Sequence, residues 1–509
     1  MSGSQHSQTQ PVYAEVPKER PWLSALLFSA LCIAVAFATR CSYLHRGFYR
    51  DDYDFLKRPA LSFSGVLHAF NPVSTWFYRP IFLIWFDALN TFAPHNSVVM
   101  HAASLVLFGL TIALAGMLVF RLTGSALAGL TTSVLFLYGM HMEEAIWWIS
   151  SGSTLLAALF SLVTLYSWLI WRETGRRAFL SVALLTMAMA LCSKEDAASL
   201  PLIVIVFDWY LIKRLGITRT FRSIATIWVR ILLLMAVYAA LDLTAYHYTN
   251  VYSHQHLTNL WHGLDLQKLQ LTLSFGARTM YLNQFGGLGE APVGLLWVFL
   301  PATAYLLYRA RRIPLLFNGA LITVIGFLPS PLSSGVHSLS QRFAYVPNLY
   351  GAILAGLILF YAFMSESRLV KLTGFTLALS AVAARMPEIT ILDPMPALAI
   401  SAFIPVVCYV AWRCVKGVGG VCLLVGILSI MMLICDFVPP NVNTVLIVGV
   451  VGGLCGYLIG REVLMGAIFG ILAWSGGPVF FVLILAFACF MQLTSGKFPG
   501  SRKQIEASR

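Results

Sequence analysis

The chain has 509 residues, of which 59% are hydrophobic and 11% charged, and its mean hydropathy is +0.79. This composition excludes a soluble globular protein, whose surface needs many more polar side chains. The net charge of +13 follows from the basic residues that membrane proteins keep in cytoplasmic loops, where they also contact anionic lipid. It therefore gives no indication of nucleic-acid binding.

Apolar runs of about 17–22 residues recur along the chain, and this length crosses a bilayer as an α-helix. They predict an all-α polytopic membrane protein with a bundle of about 14–16 transmembrane helices. The first run lacks a small-residue cleavage site, so it is expected to remain as a helix rather than to be removed as a signal peptide. The predicted spans are residues 22–39, 98–120, 125–140, 153–171, 178–193, 197–212, 225–246, 293–308, 313–329, 346–364, 370–385, 395–412, 418–435, 442–459, 463–475 and 478–493.

Basic residues predict the orientation of these spans. Lys18 and Arg20 precede the first span, so the N-terminus is expected in the cytoplasm. The stretch Arg79–Phe92 is too short to cross and is expected to lie along the outer surface as an amphipathic helix. The short polar tails favour a bacterial inner membrane over the endoplasmic reticulum. The segments predicted to lie outside are residues 40–97, 141–152, 194–196, 247–292, 330–345 and 386–394.

The chain divides into four predicted parts. Residues 1–21 are polar and are predicted to be a disordered cytoplasmic tail, and residues 494–509 form a second cytoplasmic tail. Residues 22–364 combine membrane helices with long outer loops. Residues 365–493 are closely spaced membrane helices with few polar residues outside. Any chemistry is therefore expected in the part that spans residues 22–364.

An acidic pair, Asp51 and Asp52, follows the first span in the outer loop. Adjacent carboxylates repel each other, which raises the pKa of one of them and suits it to take a proton from a hydroxyl group. The alternative is a solvated acidic loop whose carboxylates pair with Arg46, Arg50 and Lys57.

A second acidic pair, Glu143 and Glu144, lies in a short outer link between two spans. Either carboxylate could hold a divalent cation together with the aspartates, or orient a sugar hydroxyl. A link with no chemical role is an equal alternative. Trp147 and Trp148 follow directly. They fit a platform on which a sugar stacks, or an aromatic belt at the membrane interface.

Cations at the predicted outer face run against the usual trend in membrane proteins. Lys194 and Glu195 stand between two apolar stretches, and Arg342 directly precedes a later span. A cation in such a place can hold a lipid-linked phosphate or pyrophosphate. The alternatives are a Lys–Glu ion pair and a snorkelling arginine. Arg79 is a third outer cation, and His101, at the outer start of the second span, either lines the same cavity or is an interfacial histidine.

Nucleotide-binding and hydrolase motifs do not occur in the chain. There is no G-x-x-x-x-G-K-[ST], no H-E-x-x-H and no G-x-S-x-G. An enzyme that uses a nucleotide-sugar would also need a soluble domain for its donor. The outer charges fit a donor that is itself a lipid.

The order of the motifs resembles the GT-C superfamily of membrane glycosyltransferases. The resemblance is greatest to the membrane part of the O-mannosyltransferases that carry tetratricopeptide repeats, and weaker to protein O-mannosyltransferase and aminoarabinose transferase. Their pattern is an Asp-Asp pair, Tyr-Arg-Pro, an early helical His, His-x-Glu-Ala, Cys-Lys-Glu and a late Glu-Arg-x-x-Tyr-x-Pro. The matching residues here are Asp51-Asp52, Tyr78-Arg79-Pro80, His101, His141 to Ala145, Cys192 to Glu195, and Gln341 to Pro347.

The chain also departs from this pattern. Ser193 separates Cys192 from Lys194, and Gln341 replaces the acid before Arg342. The repeat domain is replaced by further apolar segments, so the acceptor of those enzymes cannot be carried over.

The resemblance implies an inverting glycosyltransferase with a GT-C-like catalytic module at residues 22–364. Its donor would be a polyprenyl-phosphate-linked sugar, and its acceptor a hydroxyl group of a glycan, lipid or protein outside the membrane. Asp51 or Asp52 would be the base that deprotonates the acceptor. No metal would be obligatory; a divalent cation held by Asp52 and Glu144 is the alternative. The residues expected to bind the donor phosphate are Lys194, Arg342 and Arg79, and those expected to support the substrates are Glu143, Glu144, His101, Glu195 and Tyr345.

Three other classes remain open. A polysaccharide polymerase or ligase would use the same compartment. A transporter of lipid-linked glycans would place polar residues in mid-span and show two similar halves. A purely structural membrane protein gives no reason for charges at the outer ends of so many spans.

Overall fold

The computed structural model describes much of the first 364 residues. Within the described part the chain is helical and contains no strand. Residues 1–20 of the first tail, the whole second tail, the span 293–308, the spans between residues 370 and 493, and His141 lie outside the described residues. The described residues are 21–58, 60–74, 77–137, 139, 142–217, 221–249, 311, 313–327 and 341–364.

The predicted spans that fall on described residues all coincide with helices. We number the α-helices in chain order. They are α1 Pro21–Arg40, α2 Asp52–Leu56, α3 Phe63–Ala69, α4 Pro80–Phe92, α5 Ser97–Thr123, α6 Ala126–Leu137, α7 Glu143–Trp147, α8 Gly152–Thr174, α9 Arg177–Leu191, α10 Leu200–Arg214, α11 Phe221–Thr249, α12 Pro314–Phe327 and α13 Tyr345–Met364. Short 3-10 helices lie at Cys41–His45, Pro72–Ser74, Ile149–Ser151, Glu195–Ser199 and Gln341–Ala344.

Several of these helices are long and apolar enough to cross a membrane, as an all-α membrane protein requires. In the described part of the chain there are 5 of them, at Ala25–His45, Ser97–Thr123, Ile149–Thr174, Ile224–Ala245 and Arg342–Ala362. Shorter apolar helices are found at Pro80–Phe92, Ala128–Leu137, Arg177–Leu191 and Pro314–Phe327. The total number of spans and the GT-C arrangement remain predictions.

Helix α5 is central to the bundle and packs against α1, α6, α8 and α13. Gly124 ends α5 with a left-handed backbone (φ 70°), and Gly175 ends α8 in the same way (φ 72°). Each glycine caps its helix and lets the chain reverse at once into the next one. The α5–α6 contact is very close, since a Cβ at Gly129 would lie 2.6 Å from the carbonyl oxygen of Gly116.

A buried ion pair joins α8 to α10. Arg172 donates to both carboxylate oxygens of Asp208, with Nη2–Oδ2 at 2.6 Å, and the indole N–H groups of Trp168 and Trp228 donate to the same carboxylate. Both charged side chains are almost fully buried. Because its residues belong to α8, α10 and α11, this hydrogen-bonded cluster connects three helices.

Successive reversals of the chain bring its polar links to one end of the bundle. We call this the charged end and define it by Asp52, Glu144, Lys194 and Arg342. Helix α4 begins there too, because the Ile81 N–H donates to the carbonyl oxygen of Cys192 (3.1 Å) at the end of α9.

Candidate functional site

Asp52 holds the segment that follows α1, predicted to be the first outer loop and called so below, against the link between α7 and α8. Its side chain is buried (1% exposed). One carboxylate oxygen accepts from the Tyr49 N–H (2.8 Å), and the other accepts from the Ser150 N–H (2.8 Å) and the Ser150 hydroxyl. Burial raises the pKa of Asp52, the three hydrogen bonds oppose this, and the neighbouring charge of Asp51 adds to it. Three donors therefore already occupy both oxygens.

Asp51 is placed quite differently from its neighbour. Arg50 has a left-handed backbone (φ 44°), and this turn brings Asp51 to the exposed start of α2. Its carboxylate has no hydrogen bond or ion pair to any residue that the structure describes. Of the acidic pair, Asp51 is the member that a substrate hydroxyl can reach.

Arg342 lies over the aromatic side chains of the site. Its guanidinium carbon is 4.3 Å from the centre of the Trp148 ring and 5.3 Å from that of Phe343, in cation–π geometry. Trp148 is buried and its indole N–H donates to the carbonyl oxygen of Tyr49 (3.1 Å), so it is part of the interior rather than of an aromatic belt. The first outer loop and the approach to α13 therefore meet at this tryptophan.

The carboxylates near Arg342 act on it without forming a close ion pair. Its backbone N–H donates to Glu144 Oε2 (3.3 Å), and the charges of Glu144, Asp51 and Glu195 all act on its guanidinium. Within the described ranges no carboxylate oxygen lies within the 4.0 Å of an ion pair with it. Glu143 instead accepts from the Met142 N–H (3.2 Å). Glu144 is thus the member of its pair that faces the other cations and acids.

Arg79 is held in a two-pronged ion pair. Its Nε and Nη2 donate to the two carboxylate oxygens of Glu195 at 2.9 and 2.6 Å, and its guanidinium also lies over Phe77 (4.4 Å). Burial would raise the pKa of Glu195, but the charges of Arg79 and Lys194 outweigh it, so this pKa lies below its usual value. Both partners are about four-fifths buried.

Lys194 is the deepest of the three predicted phosphate-binding cations. Its ammonium donates to Thr154 Oγ1 (2.8 Å), pairs with Asp196 (2.7 Å) and lies 4.9 Å from the ring centre of Phe343. Its side chain is 3% exposed. Burial lowers the pKa of Lys194, and Asp196 and Glu195 oppose that shift. This placement favours a supporting role beneath Arg342 over direct contact with a substrate.

Two predicted supporting residues lie at the base of the site. The Nε2 atom of His101 is 3.0 Å from the carbonyl oxygen of Arg46, so the histidine ties the first outer loop to α5. Tyr345 is fully buried, with its ring centre 5.3 Å from that of Phe136. Both residues support the loops and helices that carry the charged groups.

Some residues of the site were missed by sequence reasoning. Ser150 and Thr154 carry no sequence signal, because a serine or threonine before a span is ordinary. Asp242 of α11 lies near Glu195, Arg79 and the Tyr78 backbone, and an acid within an apolar run is itself a sequence signal for function.

Asp52 and Glu144, the two carboxylates named for a divalent cation, have other partners among the described residues. Asp52 accepts from Tyr49 and Ser150, and Glu144 accepts from the Arg342 N–H. Among the described residues no group of three or more His, Cys, Asp or Glu side chains could hold a metal ion.

Comparison with known proteins adds no assignment. The chain matches no protein-family model, and no curated protein matches it in sequence.

Proposed function

We propose that this protein is an inverting glycosyltransferase with a GT-C-like bundle. It transfers a sugar from a polyprenyl-phosphate-linked donor to a hydroxyl group of a glycan, lipid or protein. The proposed site is the charged end, on the extracytoplasmic face of a bacterial inner membrane with the N-terminus in the cytoplasm. One observation carries the proposal: an exposed carboxylate, Asp51, lies two residues from Tyr49, whose carbonyl oxygen binds the Trp148 indole that Arg342 covers. Arg342 has no close ion pair among the described residues.

Asp51 is the base in this mechanism. Its carboxylate takes the proton of the acceptor hydroxyl as the acceptor oxygen forms a bond to the anomeric carbon of the sugar. General-base assistance of this kind typically contributes about 10²–10⁴ in rate. Asp52 is a positioning residue, because its hydrogen bonds to Tyr49 and Ser150 fix the loop that presents Asp51.

Arg342 stabilises the leaving group. The bond from the anomeric carbon to the phosphate oxygen breaks, and its electron pair leaves with the lipid phosphate as negative charge. A guanidinium aimed at such developing charge is worth about 3–4 kcal/mol by analogy with oxyanion-hole donors. Arg79 and Lys194 already form ion pairs with Glu195 and Asp196, so they are not expected to bind the phosphate directly. Their role is to hold the segments around Arg342 in place.

The transporter alternative receives less support from the geometry. A transporter site would lie near the bilayer midplane between helices. The polar segments instead meet at one end of the described bundle. They are the first outer loop, the α7–α8 link, residues 194–196 and residues 341–343. A polysaccharide polymerase or ligase would share this location. The requirement for Asp51 as a general base distinguishes the proposed transferase from it.

Product analysis tests the proposal. The full chain in lipid nanodiscs would be supplied with polyprenyl-phosphate-mannose and a mixture of glycan and peptide acceptors. Formation of an acceptor-linked sugar with inverted anomeric configuration is expected. The Asp51→Asn variant should lose about 10²-fold or more in rate.

Asp54→Asn is the matched control. Asp54 lies in the same loop but is exposed and pairs with Lys57 (2.6 Å). This variant should keep the wild-type rate. Equal rates for Asp51→Asn and Asp54→Asn would remove the base from the mechanism.

A further inference from the structure

Helix α3 has an exposed surface that is divided by chemistry. Successive residues of a helix are about 100° apart, so positions i, i+4 and i+7 share one face. Phe63 and Leu67 of α3, and Phe70, which caps its C-terminus with a helical backbone, occupy such a face and are 81%, 58% and 41% exposed. Ser64 and His68 form the neighbouring exposed face, which is polar.

The third face of α3 rests on the protein. It carries Gly65, Val66 and Ala69, of which Ala69 is fully buried, and α3 packs against α4. The helix thus has a packed, an apolar exposed and a polar exposed side. Helices that lie in the plane of a membrane interface divide their exposed surface between apolar and polar sides in this way.

The apolar face of α3 continues towards a candidate membrane span. The Leu61 N–H donates to Thr91 Oγ1 (2.7 Å), which joins the start of α3 to the end of α4. The next residue, Phe92, is 87% exposed, and α5 begins at Ser97. Val98, in the first turn of α5, is 47% exposed. The patch therefore borders the level at which α5 would leave the hydrocarbon.

We infer that α3 and the end of α4 form a membrane-interface anchor whose apolar side chains, Phe63, Leu67, Phe70 and Phe92, insert into the leaflet at the charged end. The polar face with Ser64 then points to the headgroups. Arg58 connects the loop of residues 46–58 to the anchor, since it donates to both oxygens of Asp87 in α4 at 2.9 and 3.0 Å. The anchor holds the loop of residues 46–58 at the depth of the headgroups.

The size of the patch favours lipid over a protein partner. Aromatic side chains bury ~150–250 Å² each, so the exposed parts of these four residues present on the order of 500 Å². A specific protein interface needs about 800 Å² from each partner. Lipid needs no such minimum, because it surrounds the neighbouring span. The inference does not depend on the proposed transfer reaction.

Photo-crosslinking of the full chain tests the anchor. Phe63→p-benzoylphenylalanine and Phe92→p-benzoylphenylalanine preserve an aromatic side chain and, on irradiation, insert into nearby C–H bonds. The protein would be reconstituted in nanodiscs of phosphatidylethanolamine and phosphatidylglycerol in equal parts, and adducts identified by mass spectrometry. Adducts to lipid acyl chains are expected at both positions.

Two control positions make the outcome decisive. Leu233→p-benzoylphenylalanine places the probe in α11 at a residue that is 62% exposed within a candidate span, and it should also label acyl chains. Ser64→p-benzoylphenylalanine, on the polar face, should give several-fold fewer acyl-chain adducts than Phe63. Equal yields at Phe63 and Ser64 with normal labelling at Leu233 would overturn the anchor. So would adducts at Phe63 to a second copy of the chain in place of lipid.

Discussion

The strongest structural prediction concerns the hydrogen bonds of Asp52. In the Asp52→Asn variant the side chain keeps one oxygen, which can still accept from Ser150. Its amide nitrogen then faces the Tyr49 N–H, which now lacks an acceptor and is opposed by a second donor. A buried hydrogen bond to a charged group is worth about 1.5–3 kcal/mol, and an orphaned donor costs about 1–3 kcal/mol. We expect a loss of about 2–4 kcal/mol in the free energy of unfolding.

The Ser150→Ala variant separates the two halves of this arrangement. It removes only the hydroxyl donor and leaves the backbone N–H bond of residue 150 to Asp52 in place. We expect it to cost about 1–2 kcal/mol on its own. The double variant should cost less than the sum of the single variants by about 1 kcal/mol, because the Ser150 hydroxyl of the Asp52→Asn protein bonds a neutral amide oxygen, and this bond is weaker than one to a carboxylate.

Reversible unfolding of the purified protein in mixed detergent micelles measures these free energies. Hydrogen exchange of residues 46–58 in the folded protein should rise in both single variants, because the loop loses its attachment. Additive effects, or unchanged exchange in this loop, would refute the role of Asp52 as the residue that positions Asp51.

Three further predictions concern stability elsewhere in the bundle. Arg172→Ala leaves the buried carboxylate of Asp208 without its cation and should lower the free energy of unfolding by about 3–5 kcal/mol, whereas replacing both residues by leucine should lower it far less. Equal losses in thermal stability would contradict this. The lowered pKa of Glu195 contributes stability that is present above about pH 4.5 and is lost as the pH falls through the pKa of the folded state. Glu195→Gln should therefore reduce the dependence of the unfolding free energy on pH at the acid end, and an unchanged dependence would argue against this role. Gly129→Ala should lower the free energy of unfolding by about 1–3 kcal/mol, because its Cβ meets the facing carbonyl oxygen of Gly116. Gly47→Ala is the control: its Cβ meets nothing within 4 Å, so the unfolding midpoint should not change. Similar midpoints for both variants would show that α5 and α6 do not pack this closely.

The helices could be predicted from the sequence because local signals define them. The apolar run of α8 begins after the polar link at residues 149–151 and ends at Gly175, and the structure has the helix at Gly152–Thr174. Helix length and apolar composition do not depend on distant residues. The stretch Arg79–Phe92, predicted to be too short to cross, contains the 13-residue helix α4.

The site could be predicted only as a set of charged stretches. That Asp52 and Ser150 bond across 98 residues, or Arg79 and Glu195 across 116, depends on how the helices pack. The sequence treated Asp51 and Asp52 as alternatives, because both are carboxylates in one loop. The turn at Arg50 distinguishes them by exposing one and burying the other. Helix α3 could not be predicted from the sequence either, because a helix of seven residues is too short to show a recognisable apolar periodicity.

A structure of the full chain with bound polyprenyl phosphate tests the central claim most directly. We expect the phosphate within about 3 Å of the Arg342 guanidinium, at the charged end, with the Asp51 carboxylate facing the space next to it. A phosphate bound at the opposite end of the bundle, near Arg172, or one that leaves Arg342 without contact would contradict the account.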